Sequence, residues 1–281
     1  MKDLLISLSS NYNFNDLKPW VESFNKTGSD AEKIILVYNC DLATVNELES
    51  RGFTVMSPAP RTDSGYAYTH PSILPHVERF FHMWLFLRER RDEFRYIVST
   101  DIRDVVFQRD PFEFIDKVLS ENPNMNYLAA SESVLYRDEI YWGANNFIQS
   151  FSEYTFPQVK DRLIYNMGVV AGRAPHVIDL FAQVFFSAAL AFGRTVSDQQ
   201  SYNLLLSLEP FISQTIFLDS EDGWAAQLGT SLDPRFDSVR TEPSPIMIDD
   251  TLRTSDGSKE FYIVHQYDRY QDLTDHYRNL Y

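Results

Sequence analysis

The chain has 281 residues, of which 44% are hydrophobic and 23% charged, and a formal net charge of −15 at pH 7. This is ordinary globular composition, and the length allows a sizeable core in one large α/β domain or two small ones. The acidic balance argues against a nucleic-acid binder, because phosphate backbones demand basic patches, but local arginines or a metal could still hold a small anionic ligand.

Cysteine usage and apolar runs indicate the setting of the chain. Cys40 is the only cysteine, which excludes an intramolecular disulfide and a cysteine-based zinc site. The apolar run over residues 4–8 is too short for a signal peptide, and no apolar stretch approaches the ~20 residues that a transmembrane helix needs. We therefore expect a reducing, cytoplasmic setting and no transmembrane segment.

The first part of the chain alternates strand and helix signals. The predicted elements are a strand over residues 4–8, a helix over 16–24, a strand over 33–38, a helix over 42–50, a strand over 53–56, a polar loop over 58–72, a helix over 75–90 and a strand over 96–100. Such βαβ alternation predicts parallel strands joined by right-handed crossovers.

The second part of the chain is less regular. The predicted elements are strands over residues 126–130 and 166–171, a long apolar helix over 175–192, a helix over 197–206 with Ser197 as its N-cap, and strands over 215–218 and 261–264. An irregular aromatic stretch over residues 133–157 separates the first two of these strands. With no internal repeat, low-complexity segment or linker, the sequence favours one continuous domain.

Acidic residues directly follow the strand over residues 96–100. Asp101, Arg103 and Asp104 come before the chain resumes as an apolar run. Two carboxylates at the mouth of a buried strand are costly unless a cation lies against them, and ligands bind at the carboxyl ends of strands in open α/β sheets. A divalent metal that carries a phosphorylated ligand would meet this need. An aspartate pair that caps the next turn, with Arg103 as ion-pair partner, is the alternative.

The first strand runs into Ser9, Ser10 and Asn11 without a glycine. The glycine-rich turns of dinucleotide-binding Rossmann proteins and of P-loops are therefore absent. These polar side chains could bond a base or ribose, or cap the next helix. Arg79, on the helix before Asp101, could reach a diphosphate with its two-pronged guanidinium or form a surface ion pair.

Later polar residues also follow or interrupt apolar segments. Gly168 lies inside a strand, where glycine is unfavourable unless a ligand or backbone approaches closely, and Asn166 could present its amide there. Tight packing is the competing explanation. Asp198 and Gln199 open a helix, where an acid complements the helix dipole. His265 ends a strand and could be a structural hydrogen-bonding residue or a metal ligand.

Taken in order, these segments resemble glycosyltransferases of the GT-A fold, of the family 8 type and related nucleotide-diphospho-sugar transferases. The resemblance covers about residues 4–268 and is most specific in the D-x-R-D-V-x-F-Q-x-D-P-F run over residues 101–112. It implies an α/β fold with a Rossmann-like, mixed and mainly parallel central sheet flanked by helices, in a single domain over residues 1–281. The nucleotide-binding half would span about residues 1–112 and the acceptor-binding half about 113–281.

The resemblance also implies a metal site for Mn²⁺ or Mg²⁺. Asp101 matches the first acid of the D-x-D motif, which touches the ribose and the metal, and Arg103 stands where the second acid is expected. Either Asp104 takes the place of that acid, or Arg103 itself neutralises phosphate and weakens metal dependence. His265 matches the late histidine that completes the metal site.

The remaining roles follow from the same resemblance. Asn166 and Gly168 match the segment that faces the donor sugar and the acceptor, and Asp198 and Gln199 match the catalytic pair beneath the donor sugar. The donor-binding set would comprise Ser9, Ser10, Asn11, Arg79, Asp101, Arg103, Asn166 and Gly168.

The implied reaction transfers a hexose or pentose from a nucleoside-diphosphate sugar to a hydroxyl of a glycan or another acceptor. Retention, which the resemblance favours, needs no dedicated base and places Gln199 near the anomeric carbon. Inversion needs a carboxylate base, and Asp198 or Glu132 could supply it. Two other hypotheses are a catalytically silent domain that binds a nucleotide sugar or glycan, and an acidic scaffold protein.

Overall fold

The computed structural model describes residues 1–69, 73–191 and 196–281. The strands in these ranges are β1 (Lys2–Ser9), β2 (Glu32–Val37), β3 (Cys40–Asp41), β4 (Thr54–Met56), β5 (Gly65–Tyr66), β6 (Phe94–Thr100), β7 (Val105–Phe107), β8 (Tyr127–Leu135), β9 (Leu163–Arg173), β10 (Thr215–Leu218), β11 (Ala225–Gln227), β12 (Ile246–Ile248), β13 (Thr251–Arg253) and β14 (Ile263–His265). The α-helices are α1 (Phe14–Lys26), α2 (Leu42–Ser50), α3 (Pro75–Leu87), α4 (Pro111–Glu121), α5 (Gly143–Phe151), α6 (Ala174–Ala189), α7 (Asp198–Leu206), α8 (Phe211–Gln214), α9 (Leu228–Ser231) and α10 (Gln271–Leu280).

The largest sheet in the described ranges has seven strands in the order β10-β8-β9-β6-β1-β2-β4. The neighbours β6, β1, β2 and β4 run parallel, as do β10 and β8, whereas β9 is antiparallel to both strands beside it. The parallel strands require crossover connections, which α1 and α2 supply. This confirms the predicted α/β class and the mixed, mainly parallel central sheet in a single domain.

Helices cover both faces of this sheet. Successive side chains of a strand point to opposite faces, so neighbouring apolar residues of one strand pack against helices on opposite sides. Leu5 packs with Trp20 of α1 and with residues of α2 and α4. Leu4, one position earlier, packs on the other face with Phe80 of α3 and Phe181 of α6. Full burial of one such side chain stabilises the fold by about 1.5–3 kcal/mol. The two cores together hold β1 and β6 rigidly in the middle of the sheet.

A three-stranded sheet, β11-β14-β7, extends the domain beside the end of β6. In its register, His265 is opposite Val105 on one side and Gln227 on the other. The Gln266 N–H donates to the Asp104 carbonyl at 2.8 Å, which fixes β14 against the turn that follows β6. Strand pairing therefore places the end of β14 beside the acidic segment.

Helix α4 is absent from the sequence-based prediction, although the sequence contains the residues that typically mark a helix start. Asp110 caps it by accepting a hydrogen bond from the Phe112 N–H, and Pro111 occupies its first turn.

No helix is predicted at α5 or α10 either. The expectation of irregular structure over residues 133–157 is wrong at α5. The N–H groups of Trp142 and Gly143, at the start of α5, donate to the Glu139 side chain. Glu139 lies before the N-cap position, so the sequence shows no capping residue at the start of this helix. α10 lies in the segment left unassigned, and it buries only Thr274 and Tyr277.

Other boundaries differ in detail. The helix predicted over residues 75–90 changes to a 3₁₀ turn after Leu87, and the helix predicted over 175–192 ends at Ala189. Ser197 occupies the N-cap position of α7, but its hydroxyl donates to the Ala188 carbonyl rather than capping. Residues 70–72 of the predicted loop and residue 192 lie outside the described residues.

None of the helices in the described ranges has both the length and the apolar character that crossing a bilayer requires.

Candidate active site

A cavity of about 530 Å³ lies where β6, β8 and β9 approach the start of α7 and the end of β14. Its walls bring together residues that are far apart in the sequence. Among those predicted for the site, the lining includes Arg79, Asp101, Asn166, Gly168, Asp198, Gln199 and His265.

A groove of about 370 Å³ joins this cavity at His76, Arg79 and Asp101, which line both. Ser10 and Asn11 line the groove after the end of β1. The groove and the cavity therefore form two compartments that meet at Asp101.

An acid-histidine group lies at this junction. Asp101, Asp104 and His265 each place a ligand atom within 4.8 Å of the others. The His265 Nε2 atom is 3.6 Å from Asp101 Oδ2 and 3.7 Å from Asp104 Oδ2, too far for hydrogen bonds. Nε2 is buried and has no hydrogen-bond partner in the part of the chain that the structure describes.

Gln227 orients the histidine ring from behind. Its Oε1 lies 2.7 Å from His265 Nδ1, so Nδ1 carries the proton when the ring is neutral. Nε2 then presents a lone pair to the space between the two carboxylates. A hydrogen bond to the remote ring nitrogen is the usual support of a metal-bound histidine, and two carboxylate oxygens with one imidazole nitrogen suit Mn²⁺. These residues fit a divalent metal.

The charges of this group shift its proton equilibria. Burial opposes ionisation of Asp101, but the Arg79 guanidinium and His265 outweigh it and hold the pKa of Asp101 below its ordinary value. Burial, together with the negative charges of Asp101 and Asp268, raises the pKa of Asp104. Burial disfavours the imidazolium, yet Asp104 and Asp101 raise the pKa of His265. The three groups therefore shift one another's proton equilibria, as titratable groups that lie close together do.

Position 168 lies directly against this group, and no residue larger than glycine fits there. A Cβ atom at position 168 would overlap the His265 ring and would lie 2.8 Å from both Asn166 Oδ1 and Asp101 Oδ2. The Gly168 carbonyl also accepts a hydrogen bond from the Asp101 N–H at 2.8 Å. Close approach of backbone to the site thus explains this strand glycine.

Arg79 connects the junction to α7. Its guanidinium donates to Asp101 Oδ1, and its Nη2 lies 3.4 Å from Asp198 Oδ2. The alternative of a surface ion pair is excluded, since the Arg79 side chain is buried.

Arg103 lines the groove and is not among the residues that line the cavity. Its guanidinium pairs with Asp268 at 2.8 Å, whereas Asp104 lies beside His265. Ser9 is fully buried, and its hydroxyl has no partner among the described residues. The donor-binding roles of Ser9 and Arg103 stay predictions.

The deep wall of the cavity is a hydrogen-bonded set of uncharged amides around an acid. Asn166 and Gln199 both donate to Glu132, at 2.6 and 2.8 Å. All three residues are buried. The sequence predicts Asp198 or Glu132 as the base of an inverting transfer, and both residues line this cavity.

Several lining residues were missed by sequence reasoning. They are His76, Glu139, Tyr141, Arg235, Gln266 and Arg269. Gln266 and Arg269 lie between β14 and α10. No local motif marks these residues, because only the folding of distant segments brings them to the cavity.

Comparisons with known proteins bear on the fold. No protein-family model and no curated protein matches this sequence. By contrast, 357 chains of solved structures match the fold. One is the apo structure of WbbM, described as a bifunctional glycosyltransferase, with a TM-score of 0.62 and 14% sequence identity over 94% of this chain and 45% of that chain. The chain thus spans less than half the length of WbbM, and the likeness establishes a glycosyltransferase-type fold.

Proposed function

We propose that this chain is a metal-dependent glycosyltransferase that moves a hexose or pentose from a nucleoside-diphosphate sugar to a hydroxyl of an acceptor, on a glycan. The observation that carries the proposal is the convergence of Asp101, Asp104 and His265 at the junction of a polar groove and a deep cavity. The glycosyltransferase-type fold supports it.

Each compartment has a role in this proposal. The nucleoside lies in the groove that Ser10 and Asn11 line, and the donor sugar extends past Asp101 toward Asp198 and Gln199. Asp101, Asp104 and His265 hold Mn²⁺ or Mg²⁺, which when bound stabilises the negative charge that develops on the departing diphosphate. In this proposal, about residues 1–112 form the nucleotide-binding half and about residues 113–281 form the acceptor-binding half.

The outer rim of the cavity favours a glycan as acceptor. Tyr141 is 59% exposed and Trp142 is 38% exposed, and both line the cavity. Exposed aromatic rings offer flat apolar faces with polar edges, which suit the apolar face of a sugar ring. The Arg235 guanidinium lies 5.0 Å from the centre of the Tyr141 ring and holds it in place.

A catalytically silent binding domain is the second candidate. It is favoured by Arg103, which replaces the second acid of the D-x-D motif, and by Arg79, which already pairs with Asp101. The family 8 relation, the retention that it favours and a cytoplasmic location stay predictions.

Thermal stability tests the donor site directly. The melting temperature is measured against UDP, GDP, ADP, CMP, dTDP and their sugars, with and without Mn²⁺. We expect a Mn²⁺-dependent rise for one nucleotide, since a ligand at 100 times its Kd stabilises the native state by about 2.7 kcal/mol. His265→Ala should abolish the Mn²⁺ dependence, while His276→Ala, on α10 and outside the cavity lining, should leave it intact.

The outcomes separate the two candidates. A shift together with release of the nucleoside diphosphate supports a transferase, and a shift without turnover supports the silent domain. No shift with any nucleotide in a folded sample would contradict both.

A further inference from the structure

The two oxygens of the Glu132 side chain have different surroundings. Oε1 accepts hydrogen bonds from Asn166 Nδ2 and Gln199 Nε2. Oε2 accepts none from the residues in the described ranges, and Glu132 lines the cavity. One oxygen is therefore held in place, and the other is available to a bound molecule.

Backbone N–H groups of β9 fix the orientation of both amides. Asn166 Oδ1 accepts from the Gly168 N–H at 2.6 Å, and Gln199 Oε1 accepts from the Met167 N–H at 3.3 Å. An amide whose oxygen is engaged in this way turns its NH₂ group to the opposite side. Both NH₂ groups consequently point at Glu132, and donors of this kind favour the ionised carboxylate.

The pairing of β8 with β9 becomes irregular near Glu132. Regular pairing of β8 and β9 holds up to Ala129 with Val170 and then shifts before Ser131 with Tyr165. Ser133 has a φ of 63°, which is strained for a residue with a side chain, and its N–H donates to Ser131 Oγ. A bulge redirects side chains relative to a regular strand, and here Glu132 lies at the bulge and faces the cavity.

The electrostatic setting of Glu132 suits proton transfer. Burial raises the pKa of Glu132, while the bonds from Gln199 and Asn166 and the charge of Arg269 partly oppose this shift. A raised carboxyl pKa brings a base nearer to the operating pH. Asp198, the other carboxylate considered from the sequence, instead forms an ion pair with Arg79, which also pairs with Asp101.

We propose, on the basis of the proposed function, that Glu132 is the catalytic base and that the transfer inverts the anomeric configuration. The acceptor oxygen bonds to the anomeric carbon while its proton passes to Glu132 Oε2. The bond between the anomeric carbon and the diphosphate oxygen breaks, and its electron pair leaves with the diphosphate. The proton later returns to solvent. This inference departs from the retention that the resemblance favours.

Donor hydrolysis tests the inference without knowledge of the acceptor, because water can replace the acceptor hydroxyl. Wild type, Glu132→Gln and Glu132→Asp are incubated with Mn²⁺ and UDP-glucose, UDP-galactose, UDP-N-acetylglucosamine or GDP-mannose. Proton NMR follows the first sugar anomer released, and calorimetry gives the Kd of the donor. Glu242→Gln is the matched control, since Glu242 accepts from Ser133 Oγ at 2.9 Å but lies outside the cavity lining.

We expect wild type to release the β-anomer from an α-linked donor. Glu132→Gln should lower kcat by about 10²-fold or more, the range of general-base catalysis, with donor Kd within about threefold. Glu132→Asp should recover part of the rate, and Glu242→Gln should retain it. Release of the α-anomer, or full turnover by Glu132→Gln, would overturn the inference and leave the proposed function standing. A wild-type protein that binds no donor would overturn both.

Discussion

The two ends of the cavity are stabilised in opposite ways. At the junction with the groove, Asp101, Asp104 and His265 lie close together without hydrogen bonds among them, and a buried imidazole nitrogen has no partner in the described ranges. At the deep wall, the oxygen and the NH₂ group of both the Asn166 and the Gln199 amide are hydrogen-bonded. Glu132 Oε2 accepts no hydrogen bond from the residues that the structure describes. The first end brings together three residues that could hold a metal ion, and the second fixes the orientation of one carboxylate.

The origin of the two ends differs as well. Regular pairing of β14 with β7 and β11 assembles the first, so its geometry follows from strand register. A loss of regular pairing between β8 and β9 produces the second. Substitutions that affect one end and spare the other therefore test whether the ends act separately.

Gly168→Ala should have the largest effect, because Gly168 touches both ends. The added Cβ would displace His265, Asn166 or Asp101, and overpacking of this kind costs about 1–3 kcal/mol. We expect loss of the Mn²⁺-dependent rise in melting temperature and loss of turnover. Val170→Ala, in the core of the same strand, should lower stability similarly but keep the response to Mn²⁺. An unchanged Mn²⁺-dependent rise in melting temperature in Gly168→Ala would contradict a metal site beside Gly168.

Gln227→Ala should affect the first end alone. Without Gln227 the His265 ring loses the acceptor at Nδ1, and loss of such a support typically lowers metal affinity by about 10–100-fold. Calorimetric titration with Mn²⁺ measures this change. The control is Gln108→Ala, which removes a half-buried glutamine that donates to the Leu252 and Phe261 carbonyls and lies outside the cavity lining. Equal Mn²⁺ affinity in both variants would argue against a metal held by His265.

Glu132→Gln should have the smallest effect on stability and a defined pH dependence. Because the pKa of Glu132 is raised above 4.5 in the folded state, the native protein holds more protons than the unfolded chain above that pH. The free energy of unfolding of the wild type then falls as pH rises through this window. Glutamine does not ionise, so we expect the variant to gain stability relative to wild type as the pH rises above 4.5.

Urea unfolding at several pH values measures that difference. The exposed Glu153→Gln variant controls for the loss of one negative charge. A stability difference between Glu132→Gln and wild type that does not change with pH would show that burial does not shift the proton equilibrium of Glu132.

Sequence reasoning recovered the central features of the fold because they have local signals. Apolar β-branched runs mark β1, β2 and β6, and 3.6-residue periodicity marks α1, α3 and α6. α5 was missed, since its cap comes from the Glu139 side chain outside the N-cap position. α10 was missed because its strongly polar sequence buries only two residues.

The candidate site was recovered unevenly for a similar reason. Asp101, Asn166, Gly168, Asp198 and His265 stand at strand or helix ends or break a strand pattern, and the fold brings all of them to one cavity. The sequence alone left open whether Asp104 or Arg103 replaces the second acid of the motif. The register of β14 sets His265 beside Asp104, and Arg103 pairs with Asp268 while it lines the groove. The roles of both residues stay predictions.

The sequence by itself determined the α/β class, the alternation of strands and helices and the chemical types of residue at the strand ends. Only the tertiary structure decided that Gln227 orients His265, that Arg79 joins Asp101 to Asp198, and that one Glu132 oxygen faces the cavity. Local propensity and hydrophobic pattern act over a few neighbouring residues, so they fix elements. Hydrogen bonds between residues more than 30 positions apart depend on sheet order, register and bulges, which form only when the whole chain packs.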